Sequence, residues 1–274
     1  MVSKNIRIIT RLDVKGKNVV KGVQMEGLRV LGDPEEFAKY YYDQGADEII
    51  FSDIVASLYG RNNLIDVVSK TAKNIFIPLI VGGGIRSLND INNLLRAGAD
   101  KIALNSGAIK NPKFIDEAVK EFGSSTVTIS VEVNFFNNKY EVFYNNGREQ
   151  ANIEASSWIK QCQDRGAGEI LLSAIHKDGT GSGFDTNLIS QIANSVNIPL
   201  IVQGGAGSLK DINLIKKLKI DGVVLSSVLH YTKVMDQNNK IDNISEGNIE
   251  FLKNKKKFLN FEKLNIRSIK KILK

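Results

Sequence analysis

VGGGIRSLNDINNLLRAGADKIALNSG occupies Val81–Gly107, and VQGGAGSLKDINLIKKLKIDGVVLSS occupies Val202–Ser227. Aligned at a constant offset of 121 residues, Ile77–Ser106 and Ile198–Ser227 are identical at 15 of 30 positions. The match continues upstream, where DQGADEIIF (Asp43–Phe51) lines up with DRGAGEILL (Asp164–Leu172). Solenoid repeats recur every ~20–50 residues, so this period marks two similar halves fused in one chain. Each copy reads apolar run, glycines, Ser-Leu-x-Asp, helical stretch, second apolar run.

Outward from these copies, the same rhythm covers most of the chain. The apolar runs RIITRLDV, EIIFSDIV, IPLIVGG, KIALNS, VTISVEV, EILLSAI, IPLIVQGG and GVVLSS are mostly continuous rather than alternating. That is the pattern of strands buried on both faces. Helix signals lie between them. GDPEEFAKYYYDQG offers Asp33 as N-cap, Pro34 in the first turn, Glu36 as capping-box partner and Gly45 as stop. SLND and SLKD, from Ser87 and Ser208, carry an acid three residues after a serine, a capping signature. Eight strands alternating with helices imply an α/β protein, a (β/α)8 (TIM) barrel made of two half-barrel repeats. An open doubly wound sheet would place its Gly-rich turn after the first strand; here such turns follow the third and seventh. The expected organisation is a barrel over 1–230, with half-barrels at about 1–122 and 123–230. A polar insertion and a basic helix over 231–274 pack on it or extend from it. The segment 134–152, with Asn-Asn pairs around KYEVFY, reads as an inserted hairpin.

The net charge of +7 is uneven: residues 253–274 hold nine Lys or Arg against Glu262 alone. A basic tail suits nucleic acid, anionic lipid or an acidic partner, but a solvated helix face is the simpler reading, and no nucleic-acid role is assigned. One cysteine, Cys162, excludes an intrachain disulfide framework and fits a reducing compartment. With neither a signal-type N-terminus nor an apolar run near ~18 residues, a cytoplasmic protein without a membrane span is expected. His176 and His230 stand apart from other ligand types, so neither metal nor cofactor is expected.

Chemistry on a barrel lies at the C-terminal strand ends. The residues there are Asp13, Asp53, Gly82–Gly84, Asn105, Ser106, Glu132, Asp178, Gly179, Gly204, Gly205, Ser226 and Ser227. Glycines between a strand and a capped helix leave backbone N–H groups turned outward, where an anion is welcome. Gly83, Gly84, Asn105 and Ser106 form one expected phosphate site. The repeat places Gly204, Gly205, Ser226 and Ser227 in a second, with Asp178 and Gly179 beside it. Asp13 and Glu132 end equivalent strands of the two halves and should face each other as acid and base. At the strand starts, Arg7, Glu48, Lys101 and Glu169 read as ion pairs stabilising the barrel bottom.

LDVKGKNVVKG, GADEIIFSDI, FIPLIVGGGIRS, AGADKIALNS, GAGEILLSAIHKDGTGSGFD and QGGAGS together resemble the HisF family, the cyclase subunits of imidazole glycerol phosphate synthase, over about residues 4–230. The resemblance implies that a HisH-type glutaminase docks on the barrel bottom and sends ammonia through the barrel. At the top the ammonia meets a bisphosphorylated substrate, and an imidazole ring closes with release of a carboxamide ribotide. By position, Asp13 matches the family's base. Gly84, Asn105 and Ser106 match one phosphate site, and Gly179, Gly205, Ser226 and Ser227 the other. Lys21 matches a lysine of the mobile first loop, and Arg7, Glu48, Lys101 and Glu169 match an ammonia gate. Departures cluster at the mouth. Glu132 stands for a catalytic aspartate, Arg11 for a small cysteine, His176 for an aspartate and Gln203 for a small residue. This pattern, with RLDVKG, EGLRVLGDP and DIVASLYGRNNL, is similar to a HisF paralogue of surface-polysaccharide synthesis. That resemblance implies conversion of a sugar acetamido group to an acetamidino group, with a glutaminase and a sugar amidotransferase as partners. The histidine-pathway cyclase is the alternative.

Overall fold

The computed structural model describes residues 5–56, 64–236 and 261–273. Its centre is a ring of eight parallel strands: β1 (Arg7–Lys15), β4 (Glu48–Asp53), β5 (Leu79–Gly82), β6 (Lys101–Leu104), β7 (Val127–Phe136), β10 (Glu169–Ala174), β11 (Leu200–Gln203) and β12 (Gly222–Leu225). The ring closes where Arg7–Thr10 of β1 pair with Gly222–Leu225 of β12. Helices follow the strands: α1 (Pro34–Asp43), α2 (Ile65–Ala72), α3 (Leu88–Ala97), α4 (Ser106–Lys110), α5 (Lys113–Phe122), α6 (Ala155–Asp164), α7 (Thr186–Ala193), α8 (Leu209–Ile215), α9 (Ser227–Asp236) and α10 (Ile266–Leu273). The barrel read from the repeat is the fold.

Local chemistry sets the helix starts. The Asp33 carboxylate accepts from the N–H groups of Glu35 and Glu36 at the head of α1. Ser87 and Ser208 each complete a two-way capping box, with Asp90 and Asp211. Outward residues of the strands join the helices in one continuous apolar layer that includes Trp158, Phe37, Phe51 and Cys162. Inward residues form a separate plug of Ile9, Ile50, Ile80, Ala103, Leu171, Ile201 and Val224. Because side chains alternate along a strand, β1 turns Arg7, Ile9, Arg11 and Asp13 to the lumen in succession. The lumen is therefore charged below, apolar in the middle and charged again above.

Two antiparallel additions cover the upper face. β2 (Asn18–Val23) pairs with β1, and β3 (Glu26–Gly32) pairs with β2. The first loop is thus a hairpin, and Lys21 sits on one of its strands with 2% exposure. Its turn uses Gln24 and Met25 at positive φ, without the Asn-Gly or Asp-Gly signal that marks most tight hairpins. The second addition extends β7 into β8 (Lys139–Tyr144) and β9 (Glu149–Glu154). The expected hairpin at 134–152 is therefore a three-stranded arm. Its turns use Asn137–Asn138 and Asn145–Asn146 at positive φ, where asparagine is tolerated.

At the C-terminal end, residue 230 falls inside α9. The basic helix, α10, packs against α8 and takes the eighth helical place. Ile266, Ile269 and Leu273 enter the main core, Lys270 pairs with Asp47 just after α1 at 2.6 Å, and Lys216, the C-cap of α8, donates to the Ile272 carbonyl at 2.7 Å. Of the basic residues, Arg267, Lys270 and Lys271 lie on the outer side of this amphipathic helix; the lysines at 253–257 lie outside the described residues. The polar run 237–260 and the 57–63 part of DIVASLYGRNNL lie outside the described residues. Among the described residues, no helix is long and apolar enough to cross a membrane.

Candidate active site and the ring below it

At the barrel bottom the four charged residues meet. Arg7 donates from Nη1 to Glu48 and from Nη2 to Glu169, both at 2.5 Å. Lys101 Nζ lies 3.4 Å from Glu48 and 3.5 Å from Glu169. Thr128 Oγ1 donates to Glu169 at 3.3 Å, a member that the search for charges missed. Two cations alternate with two carboxylates, so the ring is neutral overall. Burial acts to lower the Arg7 pKa, and Glu169 and Glu48 more than offset it, leaving it raised. Above the ring lies the largely apolar plug, with Ser130 of β7 level with Leu171.

At the mouth, Asp13 is doubly paired: Oδ1 accepts from Arg11 Nε at 2.8 Å and Oδ2 from Lys21 Nζ at 3.1 Å. Lys21 also reaches Asp178 at 2.8 Å, so the first-loop lysine and the residue after β10 form one buried cluster. Burial acts to raise the Asp13 pKa, but Arg11 and Lys21 hold it below the ordinary carboxylate value. Burial lowers Lys21, yet Asp178 and Asp13 drive it upward. Glu132, 5% exposed, is in the opposite state. Burial pushes its pKa up to about 7, with Arg11 and the Gly147 N–H opposing. That N–H, from the tip of the β8–β9 arm, donates to Glu132 Oε2 at 2.8 Å. Two carboxylates of the same mouth thus sit in environments that separate their proton affinities.

A chamber of 270 Å3 opens beside Glu132, near the lower end of the ~300–1,000 Å3 usual for small-molecule pockets. Gly83, Gly84, Asn105 and Ser106 line it, joined by Arg86 and Lys110, two cations the motif reading passed over. Gly83 has φ +103, and a Cβ there would stand 2.3 Å from the Asp53 carbonyl, so the turn demands glycine. Asn145 donates its backbone N–H to Ser106 Oγ at 3.1 Å, and its buried Oδ1 has no protein partner.

The second half is arranged differently. Gly205 accepts from Gly183 N–H at 2.8 Å, and a Cβ on Gly179 would meet the Gly22 carbonyl at 2.6 Å. Ser226 Oγ donates to the Arg11 carbonyl at 2.9 Å, while Ser227 Oγ is buried without a protein partner. Gly204 packs against the Ala174 backbone. None of these second-half residues lines the 270 Å3 chamber, so the two expected phosphate sites do not share that cavity.

His230, wholly buried, supports the cluster from outside. Its Nε2 donates to the Arg11 carbonyl at 3.0 Å, and its Nδ1 accepts from Tyr41 at 2.7 Å. Burial, reinforced by Lys21, lowers its pKa to about 3, so the ring is neutral. His176 instead bonds Asp185 at 3.0 Å. No grouping of three or more His, Cys, Asp or Glu among the described residues could hold a metal.

A closed (β/α)8 barrel with a charged ring below its lumen and a carboxylate–cation cluster at its mouth defines the class. Residues 7–235 match the family described as Histidine biosynthesis protein. Imidazole glycerol phosphate synthase subunit HisF of Legionella pneumophila is 51% identical over 210 residues, covering 76% of this chain and 99% of the relative. The protein of the same name from Prochlorococcus marinus is 48% identical over 233 residues, covering 84% and 91%. That of Campylobacter concisus is 47% identical over 228 residues, covering 83% and 90%. The chain belongs to the HisF family. The names of these relatives side with the histidine-pathway expectation rather than with the polysaccharide branch.

Proposed function

We propose that this chain is the ammonia-using synthase subunit of a two-subunit glutamine amidotransferase, with the cyclase reaction of its named relatives as its activity. In that reaction ammonia and a bisphosphorylated ribotide give imidazole glycerol phosphate and an aminoimidazole carboxamide ribotide. The observation that carries the reading is the vertical order of the lumen. The Arg7–Glu48–Lys101–Glu169 ring closes its lower end, an apolar layer follows, and Glu132 and Arg11 stand above. An ammonium ion crossing the apolar layer would lose its hydration without a counter-ion, a cost of several kcal/mol; neutral ammonia bears no such cost. The ring's place at the strand N-termini makes the lower face the docking surface for a HisH-type glutaminase. The expected roles keep Gly83, Gly84, Asn105 and Ser106 as phosphate holders in the first half, and Gly179, Gly204, Gly205, Ser226 and Ser227 in the second.

A second reading is favoured by one observation: Arg11, bonded to Asp13 and Gln203, fills the middle of the mouth. An acceptor other than the ribotide, such as the acetamido group of a surface-polysaccharide sugar with its own sugar amidotransferase, fits an altered mouth above an unaltered ring. The deciding assay is turnover of the ribotide by the purified chain with ammonium salt alone. Rates on the order of 1 s⁻¹ support the cyclase. No turnover by a folded chain that still stimulates its glutaminase would overturn it in favour of another acceptor.

A further inference from the structure

Between the polar run and α10 the chain crosses the loops of the second half. Phe261 stacks on Tyr231 of α9, with ring centroids 5.5 Å apart and planes at 19°. The same ring packs on the loop after β10, where a Cβ on Gly181 would stand 2.8 Å from Phe261 Cε1. Glu262 donates its N–H to the Gly207 carbonyl at 2.9 Å and accepts from the Leu209 N–H at 2.8 Å. It thereby holds the turn after β11 at the start of α8. The Leu264 N–H donates to Thr232 of α9 at 3.3 Å, and the Leu264 side chain is buried. Residues 261–264 thus tie together three elements: the loop after β10, the turn after β11, and α9. Those elements carry Gly179, Gly204, Gly205 and Ser227. The two loops also touch each other. The Gly183 N–H donates to the Gly205 carbonyl at 2.8 Å, and a Cβ on Gly207 would stand 2.3 Å from the Gly181 carbonyl. At the offset of 121 the first half has Arg86 in the place of Gly207, and that arginine lines the chamber instead.

We infer that residues 261–264 form a strap that sets the second-half phosphate holders in place, with Phe261 and Glu262 as positioning residues. The inference rests on the holder roles proposed above. It assigns work to a segment outside residues 7–235, the part that matches the family. The physical reason lies in the loops themselves. They are rich in glycine, with Gly181 and Gly205 among those at positive φ, and glycine has the most backbone freedom to lose. Donors that converge on one anion bind it more tightly when their arrangement is fixed beforehand. A ring wedged between Gly181 and Tyr231 fixes them without touching the anion. The strap also limits which donors remain. Glu262 takes the Leu209 N–H, and Asp211 takes those of Gly207 and Ser208 at 2.9 and 2.8 Å. The start of α8 is thus satisfied from within. The Ser227 hydroxyl, buried without a protein partner, stands at the head of α9, the helix that Phe261 and Leu264 hold.

The test titrates inorganic phosphate, at one fixed pH, into the 15N-labelled full chain. The amide signals of Gly205 and Ser227 report on the second half, and those of Gly84 and Ser106 on the first. Phe261→Ala is expected to weaken phosphate at the second-half amides on the order of tenfold, toward the lower end of the usual coupling between linked sites. The first half should be unchanged, and the Gly183 N–H should lose protection from hydrogen exchange. Phe261→Tyr keeps the ring and should keep the second-half affinity. Ile269→Ala weakens the fold away from the strap and should leave both affinities as they are. An unchanged second-half affinity in Phe261→Ala, an equal loss in both halves, or a matching loss in Ile269→Ala overturns the inference. A wild type in which phosphate moves no second-half amide overturns the holder roles and the strap together. Second-half binding that is indifferent to Phe261 overturns the strap alone, so the two failures are told apart.

Discussion

Lys21→Met is the sharpest test of how the mouth is held together. Lys21 is 2% exposed and bridges Asp13, 6% exposed, and Asp178, 3% exposed. Methionine keeps the length of the side chain and removes the charge. Asp13 keeps Arg11, but Asp178 loses the cation that both its oxygens accept from. Breaking a buried ion pair from one side costs about 3–5 kcal/mol. In a chain of this size that lowers Tm by about 10 °C, at ~2–4 °C per kcal/mol. The loss depends on pH with a definite sign. Asp13 is held below its ordinary value, so its stabilisation is present above the unfolded-chain pKa and is lost as pH falls through the folded one. Both proteins should begin to lose this contribution near the unfolded-chain pKa, and the variant, with Asp13 less depressed, should level off at a higher pH than the wild type. The gap between them should therefore narrow as pH falls toward the depressed wild-type value. Urea unfolding at pH 7, 5 and 3, read by circular dichroism, measures all of this, and Lys21→Met/Asp178→Asn should recover part of the loss. A variant less than about 1 kcal/mol weaker at pH 7 would refute the reasoning.

Other consequences are open to simpler assays. Glu132, raised to about 7 from 4.5, carries a penalty that grows as pH rises from the unfolded value through the folded one. Glu132→Gln should therefore be more stable than wild type by about 3 kcal/mol at pH 8, from ~1.4 kcal/mol per unit, with no gain at pH 4; an equal gain at both would contradict the assignment. Cys162, buried and with its thiol pushed up to about 12 by burial, should resist a thiol reagent in the native protein and react fully in denaturant. Ile269→Ala, in the eighth helix, should cost about 2–5 kcal/mol in chemical denaturation; a cost below about 0.5 kcal/mol would mean that α10 is not part of the core.

The sequence was most readable where one residue type does one local job. Ser87 and Ser208 cap as their spacing says, and the glycines after the third and seventh strands take the backbone turns only they tolerate. The charged ring was visible as four residues at strand starts because strand alternation fixes which way each points. What escaped depended on neighbours distant in the chain. Nothing near Asp13 in sequence shows that Arg11 and Lys21 occupy both of its oxygens, since β1 and β2 must first pair. The repeat suggested two like phosphate sites but not their neighbours: Gly179 lies against the Gly22 carbonyl and Ser226 Oγ donates to the Arg11 carbonyl, both from the first half. The β2–β3 hairpin was hidden because Gln24 and Met25 make its turn, against their own preferences, with the Gln24 N–H donating to the Asp178 carbonyl at 2.8 Å.

The eighth helix comes from the last residues of the chain, after a long interval of sequence from the strand it follows. Until Ile266, Ile269 and Leu273 leave the ribosome, the seam between α8 and the end of α1 has no cover, and the apolar side chains there face water. The seam is thus sealed only once α10 has emerged, and until then the nascent chain holds an unsealed core. A premature stop anywhere in the polar run would yield all eight strands and every candidate site residue, yet a barrel left open along one side.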